Sequence, residues 1–587
     1  MPRCWRRRPR WQRAQPSISL KRRRGQGLIA EVDDEPDYWR FWHSLIRRVT
    51  SEELSRNHRA LLHQRIGETL QSRPGVSPAE LAHHFGAAAS KGSAPQAVRY
   101  GCLAGKLALR EAAAEVAVRH FRKALELLDR FGPEDEALRC EVLLDLAGAH
   151  DRAGEYASRD ERFAEAADTA RRLGRGELFA RAALGYGGIL PASARPDPRA
   201  QALLEEALKR LGEGDSGARA TALARLAHWL HYVRPYPERL ELSDRSVAMA
   251  RGEQDRRTLA TVLVHRCWAL DGPGDVGDAL RVASEILDIG TELGDPELTL
   301  EGLRIRLAAQ FENGTHSAAV QTAHDMKMLA ETVRHPEFIR LAAMWDIVVA
   351  TIEGRFDEAE ELAGELSRRL VQIGHPHAQL ISVAQSASWR LLQGHTAECI
   401  PQFEAMSAAE LGNLAWPALV AWYLAEAGAR DRAADLLRRT EPASAADADK
   451  NYLWWAVIVG FSGAVDLVAD RPWAQALYDL AAPYAGSNCT LGLASFLGAA
   501  DHWLGVLAGT AGRFTEAIAH LEAALARHRE MGARPWTALT EEAYGRVLSL
   551  RGRAADVERA GKLTASAMRT AEEFGLAAVT NRASLRG

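Results

Sequence analysis

The strongest constraint on this fold is a phrase the chain writes twice. "GRFDEAEELAGEL" begins at Gly354 and "GRFTEAIAHLEAAL" at Gly512, each with Gly first, Phe two residues on and Ala five residues on. Stepping from Gly354 by roughly 40 residues, a period within the range of helical repeat arrays, reaches Gly314 ("GTHSAA"), Gly274 ("GDVGDA") and Gly394 ("GHTAEC"). Ala319, Ala279 and Cys399 hold the small residue there. Gly428, Ala469, Gly512 and Gly552 continue the phase, and Gly154 and Ala112 precede it, with degraded steps near Ala194 and Arg234. A single globular core has no reason to repeat itself in this way.

The chemistry of the positions explains the spacing. Gly accepts the left-handed backbone that closes a helix, and a small residue one turn into the next helix lets the two backbones approach. Apolar residues then recur at helical spacing, as in Phe514, Ile518, Leu521 and Leu525, or Phe121, Leu125 and Leu128. One helix pair cannot bury such a stripe alone, so neighbours must stack. The expected fold is all-α: a tetratricopeptide-like helical-hairpin solenoid, a right-handed superhelix of about a dozen units.

Size and composition agree. A chain of 587 residues exceeds a single core, and 47% hydrophobic residues, mostly Ala and Leu, with 7% aromatic residues favour helix. A formal net charge of -3 draws the chain to neither nucleic acid nor anionic membrane. The six cysteines are scattered without zinc-site spacing, which suits a reducing, cytoplasmic compartment. No apolar run approaches the roughly 18 to 20 residues of a membrane span, so no membrane contact is expected.

Three stretches depart from the array. Residues 1–24 carry about ten basic residues and read as a disordered tail, with a phosphate-backbone grip aided by Trp5 and Trp11 as the alternative and the one route to nucleic acid. Residues 25–50 alternate apolar and polar positions around "DDEPD" before entering a helix, which predicts a β-hairpin feeding that helix. The repeats then occupy 76–587, with loops rich in Pro, Ala and Asp at 187–199 and 441–450 where the superhelix is expected to flex.

Several phrases, "RFWHSLIR", "LLHQRIGETL", "ELAHHF", "HFRKALELLD", "LYDLAAPYAG" and "MGARPWTALTEEAYGRVLSLRG", occur in one order along the chain. In this the chain resembles the C-terminal tetratricopeptide-repeat region of large bacterial signal-transduction ATPases and LuxR-type, maltose-activator-like transcriptional regulators. The resemblance implies that 25–75 is a remnant of the winged-helix end of an ATPase module, and that the repeats sense a protein, peptide or small effector and relay binding to an NTPase. That NTPase is expected outside this chain. The nearest string to a phosphate-cradling loop, "GCLAGKLA" at Gly101, is one residue short and has Leu107 where the magnesium-binding hydroxyl belongs. Gly101 and Gly105 are read instead as helix-packing glycines. A DNA-reading domain is likewise not expected after Gly552. A free-standing scaffold is the alternative function, and an ATPase or nucleotide cyclase is disfavoured for lack of its residues.

No enzyme motif, cofactor site or metal site is read from the chain. His83 and His84 diverge by about 100° on a helix, and His375 and His377 lie in "GHPH", so both pairs are expected to be loop or surface histidines. The remaining candidate is the concave groove lined by first helices, for which the register nominates Glu141, Asp151, Arg152, Glu353, His502 and Thr510. Trp345, Trp422, Trp454, Trp455 and Trp503 supply aromatic mass near it, and most of them are read as inter-helix core.

Overall fold

A computed structural model of the chain describes residues 29–31, 39–41, 43–132, 134–188, 197–274, 276–375, 377–410, 413–440, 442–446 and 448–584. The basic tail, the "DDEPD" turn, the step near Ala194 and most of the 187–199 loop lie outside these residues. The contacts divide the chain into two compact units, Met1–Ala153 with Glu161–Leu178, and Gly154–Asp160 with Phe179–Gly587.

The first unit opens on the expected hairpin. Strands β1 (Ile29–Glu31) and β2 (Trp39–Phe41) pair antiparallel with Ile29 opposite Phe41. Helices Ser44–Glu52, Arg56–Gln71, Pro78–Ala87, Ala94–Arg110, Ala114–Phe131 and Glu136–Arg152 follow. The start of Pro78–Ala87 is set locally: the Ser77 side chain accepts from the Glu80 N–H and Pro78 sits in the first turn, where its missing N–H costs nothing. "GCLAGKLA" lies wholly inside Ala94–Arg110, so it offers no loop to a phosphate. Its glycines pack against the next helix; a Cβ on Gly105 would stand 2.6 Å from the Phe121 ring.

The second unit holds most of the repeat array, built of consecutive helix pairs in a solenoid-like succession. The predicted phase holds closely. Gly314, Gly354, Gly394, Gly428, Gly512 and Gly552 all have positive φ, and Ala469 takes the same conformation at φ 61°. The small residues five positions on, Ala319, Ala359, Ala433, Ala474 and Ala517, are completely buried. The step at Gly274 fails: helix Arg256–Ala269 ends before it, and Ala279 is only half-buried.

Two features were not anticipated. An antiparallel hairpin of β3 (Asn488–Leu491) and β4 (Ser495–Ala499) sits among the helices with every residue of both strands buried. Its surroundings hold it on several sides: Asn488 Nδ2 donates to the Phe311 carbonyl (2.7 Å), Ser495 Oγ to the Ala384 carbonyl (2.6 Å), and the Ala499 N–H to His528 Nε2 (3.0 Å). Repeats also touch others far away in sequence. Helix Pro336–Glu353 packs on Arg534–Arg551, and Ala378–Leu392 on Ala577–Ser584. One continuous apolar cluster therefore runs from Leu300 to Val579. The apolar seam expected of stacked pairs exists, but the face expected to stay open is partly closed upon itself.

Candidate functional site

Closure encloses a cavity of about 320 Å³ in the second unit. Its wall is assembled from the end of helix Arg256–Ala269 and the Leu270–Gly274 turn, from helices Pro296–Glu312, Pro336–Glu353, Ala378–Leu392 and Ala415–Glu426, from the turn joining β3 to β4, and from Trp536. Trp268, Phe403, Trp416, Trp422, Tyr452 and Phe496 give it an aromatic lining. The size and apolar walls are those of a small-ligand or peptide-side-chain site.

On one side the segment Asp449–Leu453 closes the rim. The Tyr236 N–H donates to Asp449 Oδ1 (2.9 Å), the Tyr452 N–H to His231 Nε2 (3.1 Å), and the Tyr452 hydroxyl to the Leu491 carbonyl (3.0 Å). Gly272 permits the approach, because a Cβ there would meet the Lys450 carbonyl oxygen at 2.8 Å. The C-terminal end of the 441–450 loop is thus fastened.

The polar groups in the wall fall into two sets. The arginines are engaged: Arg266 donates to Asp244 (2.6 Å), Arg304 to Glu301 (2.8 Å), and Arg340 to Glu337 (3.0 Å). Arg304 also lies over the Trp268 ring, 4.0 Å from its centroid. Burial alone would raise the Glu337 carboxyl, but the charge and hydrogen bonds of Arg340, with His375 3.7 Å away, hold it well below the usual range. Burial and the Arg239 charge push His231 down to about 3, and burial with Arg225 and His265 pushes His228 far down, so both imidazoles are neutral.

Asp271 and Glu312 form the other set. Neither has an ion-pair partner among the described residues. Burial raises Asp271 to about 6 against the opposing charges of Arg304 and Arg239. Burial and the neighbouring Asp271 raise Glu312 to about 8. The Trp455 indole N–H leans toward Glu312 without completing a geometric hydrogen bond.

None of the six residues nominated by register lines this cavity. Glu141 is exposed, and Asp151 and Arg152 are half-buried. Glu353 is exposed and paired with Arg355 (2.8 Å). Thr510 is half-buried and donates to the Val506 carbonyl (3.0 Å). His502 is a correction: it is 1% exposed, its Nδ1 bonded to Thr540 Oγ1 (2.9 Å), because the C-terminal repeats cover the face it was expected to present. His375 and His377 do lie in the loop between helices Phe356–Gln372 and Ala378–Leu392, but both are buried, as is His84 within its helix, and His377 faces the cavity. All five of the tryptophans named near the groove are buried in the core, Trp422 also lining the cavity. Among the described residues no group of His, Cys, Asp or Glu is arranged to hold a metal, and no helix is long and apolar enough to cross a membrane.

No protein-family model matches the chain, and no curated protein matches it in sequence. Among solved structures it is similar to a Signal Transduction ATPase with Numerous Domains protein with a tetratricopeptide repeat sensor from Pyrococcus horikoshii, at 15% identity and a TM-score of 0.37 over 68% of this chain. The match spans 60% of that protein's length. It is similar also to a Rap protein complexed with competence and sporulation factor (13% identity, TM-score 0.29, 63% of this chain and 97% of that one). Yeast Tom70 matches at 14% identity and a TM-score of 0.27, over 85% of this chain and 98% of its own. Likeness at this level says nothing about function; the repeat architecture is read from this chain's own helix pairs.

Proposed function

We propose that the chain is a non-catalytic, cytosolic repeat module that senses a partner or effector for a bacterial signalling or transcriptional regulator, through occupation of the cavity. The phrases resembling such regulators support the setting, with an NTPase elsewhere as receiver and residues 25–75 as the winged-helix remnant beside it. The observation that carries the sensing role is the construction of the cavity wall. It draws on repeats from His228 to Trp536, so an occupant bridges several of them at once and favours one spacing between them.

Hydrogen exchange on the full chain, with panels of peptides and small effectors and with ATP, tests this reading. Protection confined to the helices that line the cavity is the expected result. Protection only on outward helix faces by a protein partner would favour a scaffold. Saturable micromolar ATP binding would overturn the non-catalytic assignment.

A further inference from the structure

We infer that the cavity takes a small organic cation, an ammonium or guanidinium group carried on an apolar body, with Asp271 and Glu312 as its counter-ions. The inference rests on the reading of this cavity as the sensing site and names the chemistry of its ligand.

The charge inventory points this way. Every arginine in the wall already faces a carboxylate of its own: Arg266 has Asp244, Arg304 has Glu301, Arg340 has Glu337. Arg239, whose charge reaches Asp271, is bound to Asp449. The spare Nη2 of Arg304 has no hydrogen-bond partner, but it has no accessible surface from which to meet an anion. The histidines His228 and His231 are neutral. Asp278 is paired with Arg281, and Glu410 accepts from the Trp416 indole (2.6 Å). What remains, among the described residues, is two carboxylates without an ion-pair partner, Asp271 and Glu312, both in the wall of a cavity that is otherwise mostly aromatic and aliphatic, with the Asp271 charge acting on Glu312.

An unpaired carboxylate out of water is costly, and two in proximity more so. Both groups show that cost in their raised proton affinity. A cation placed between them offsets it, and the surrounding ring faces favour positive charge as well. The apolar body is required by the rest of the lining, which offers the ligand Ile381, Leu419, Leu453 and Phe496 in place of polar partners.

The test uses the full chain at about pH 9, where both carboxylates are ionised and an alkylamine keeps most of its charge. Tryptophan fluorescence titrations compare octylammonium, octanol and octanoate, which share one apolar body. An acetylated leucine–lysine–leucine peptide presents the same cation on a side chain. The expected result is that octylammonium or the peptide binds at least about tenfold more tightly than octanol and octanoate. Which of the two binds identifies the source as a free amine or a peptide. Glu312→Gln and Asp271→Asn should each reduce that preference while octanol binding persists, which shows the variant cavity to be intact. Equal binding of the three octyl probes, or tighter binding of octanoate, overturns the cation assignment and leaves the sensing role standing. If no probe binds and exchange in the cavity helices is unchanged, both readings fall.

Discussion

Arg239 and Asp449 stand 210 residues apart in sequence and 2.5 Å apart in space. The Arg239 side chain is fully buried, and it also donates to the carbonyls of Arg234 (3.0 Å) and Ala269. The pair joins the start of helix Tyr236–Gly252 to the segment that closes the cavity, so a repeat early in the second unit is clasped to one much later.

Removing Asp449 leaves a buried guanidinium without its counter-ion. Asp449→Ala should lower unfolding stability by about 3–5 kcal/mol, read from urea denaturation, and should speed hydrogen exchange in Leu270–Gly274. A change under about 0.5 kcal/mol, the level of a surface pair, would mean that the clasp adds nothing.

Glu312 gives the fold a pH dependence. Its folded value near 8 exceeds the ordinary 4.5, so across that window the native state holds a proton that the unfolded chain has released. Stability from this group is complete below the unfolded value and is lost as pH rises through the folded one. Asp271, at about 6 against 3.8, acts in the same direction over a narrower window. The groups facing the pair are Arg304, Arg239, Cys267, Tyr452, Cys489 and Trp455. Denaturant unfolding at stepped pH should show stability falling by a few kcal/mol, in order of magnitude, between about pH 5 and 8. Glu312→Gln should flatten most of that slope; an unchanged slope would contradict the assignment.

Two glycines with one backbone conformation separate local strain from long-range packing. Gly354 and Gly512 both have φ of 84°. A Cβ on Gly512 meets nothing within 4 Å, whereas on Gly354 it would stand 2.5 Å from the Phe574 ring. Gly512→Ala should cost about 1 kcal/mol for the left-handed backbone alone. Gly354→Ala should cost about 1–3 kcal/mol more, from the added crowding. Thermal unfolding of both variants measures the difference, and equal losses would mean that the Phe574 contact is soft.

The last helix is held by charge. Arg582 binds Glu426, and its Nη1 lies 3.2 Å from Asp466, which Arg546 also binds (2.8 Å). Arg582→Ala leaves the buried Glu426 with only the Trp422 indole N–H (3.0 Å), at a cost of about 3–5 kcal/mol. Adding Glu426→Gln should restore a large part of that loss, because the orphaned charge goes with it. Additive losses in the double variant would show that the two residues act independently.

By itself the sequence determined the helix pairs and their phase. Gly at a left-handed helix end and a small residue one turn later meet local demands, satisfied within a few positions of the same chain, and that is why Gly354, Gly512 and even Ala469 could be placed from spacing. The packing role of Gly101 and Gly105 was legible for the same reason. Tertiary structure alone decided the site. Strands β3 and β4 are buried on both faces and so lack the alternation that marks a half-exposed strand. The cavity exists because repeats hundreds of residues apart close on each other, which completes the wall that Asp271 and Glu312 share with Trp536, while the next repeat along covers His502. A periodic pattern states which faces must be covered, but it does not say which distant segment will cover them.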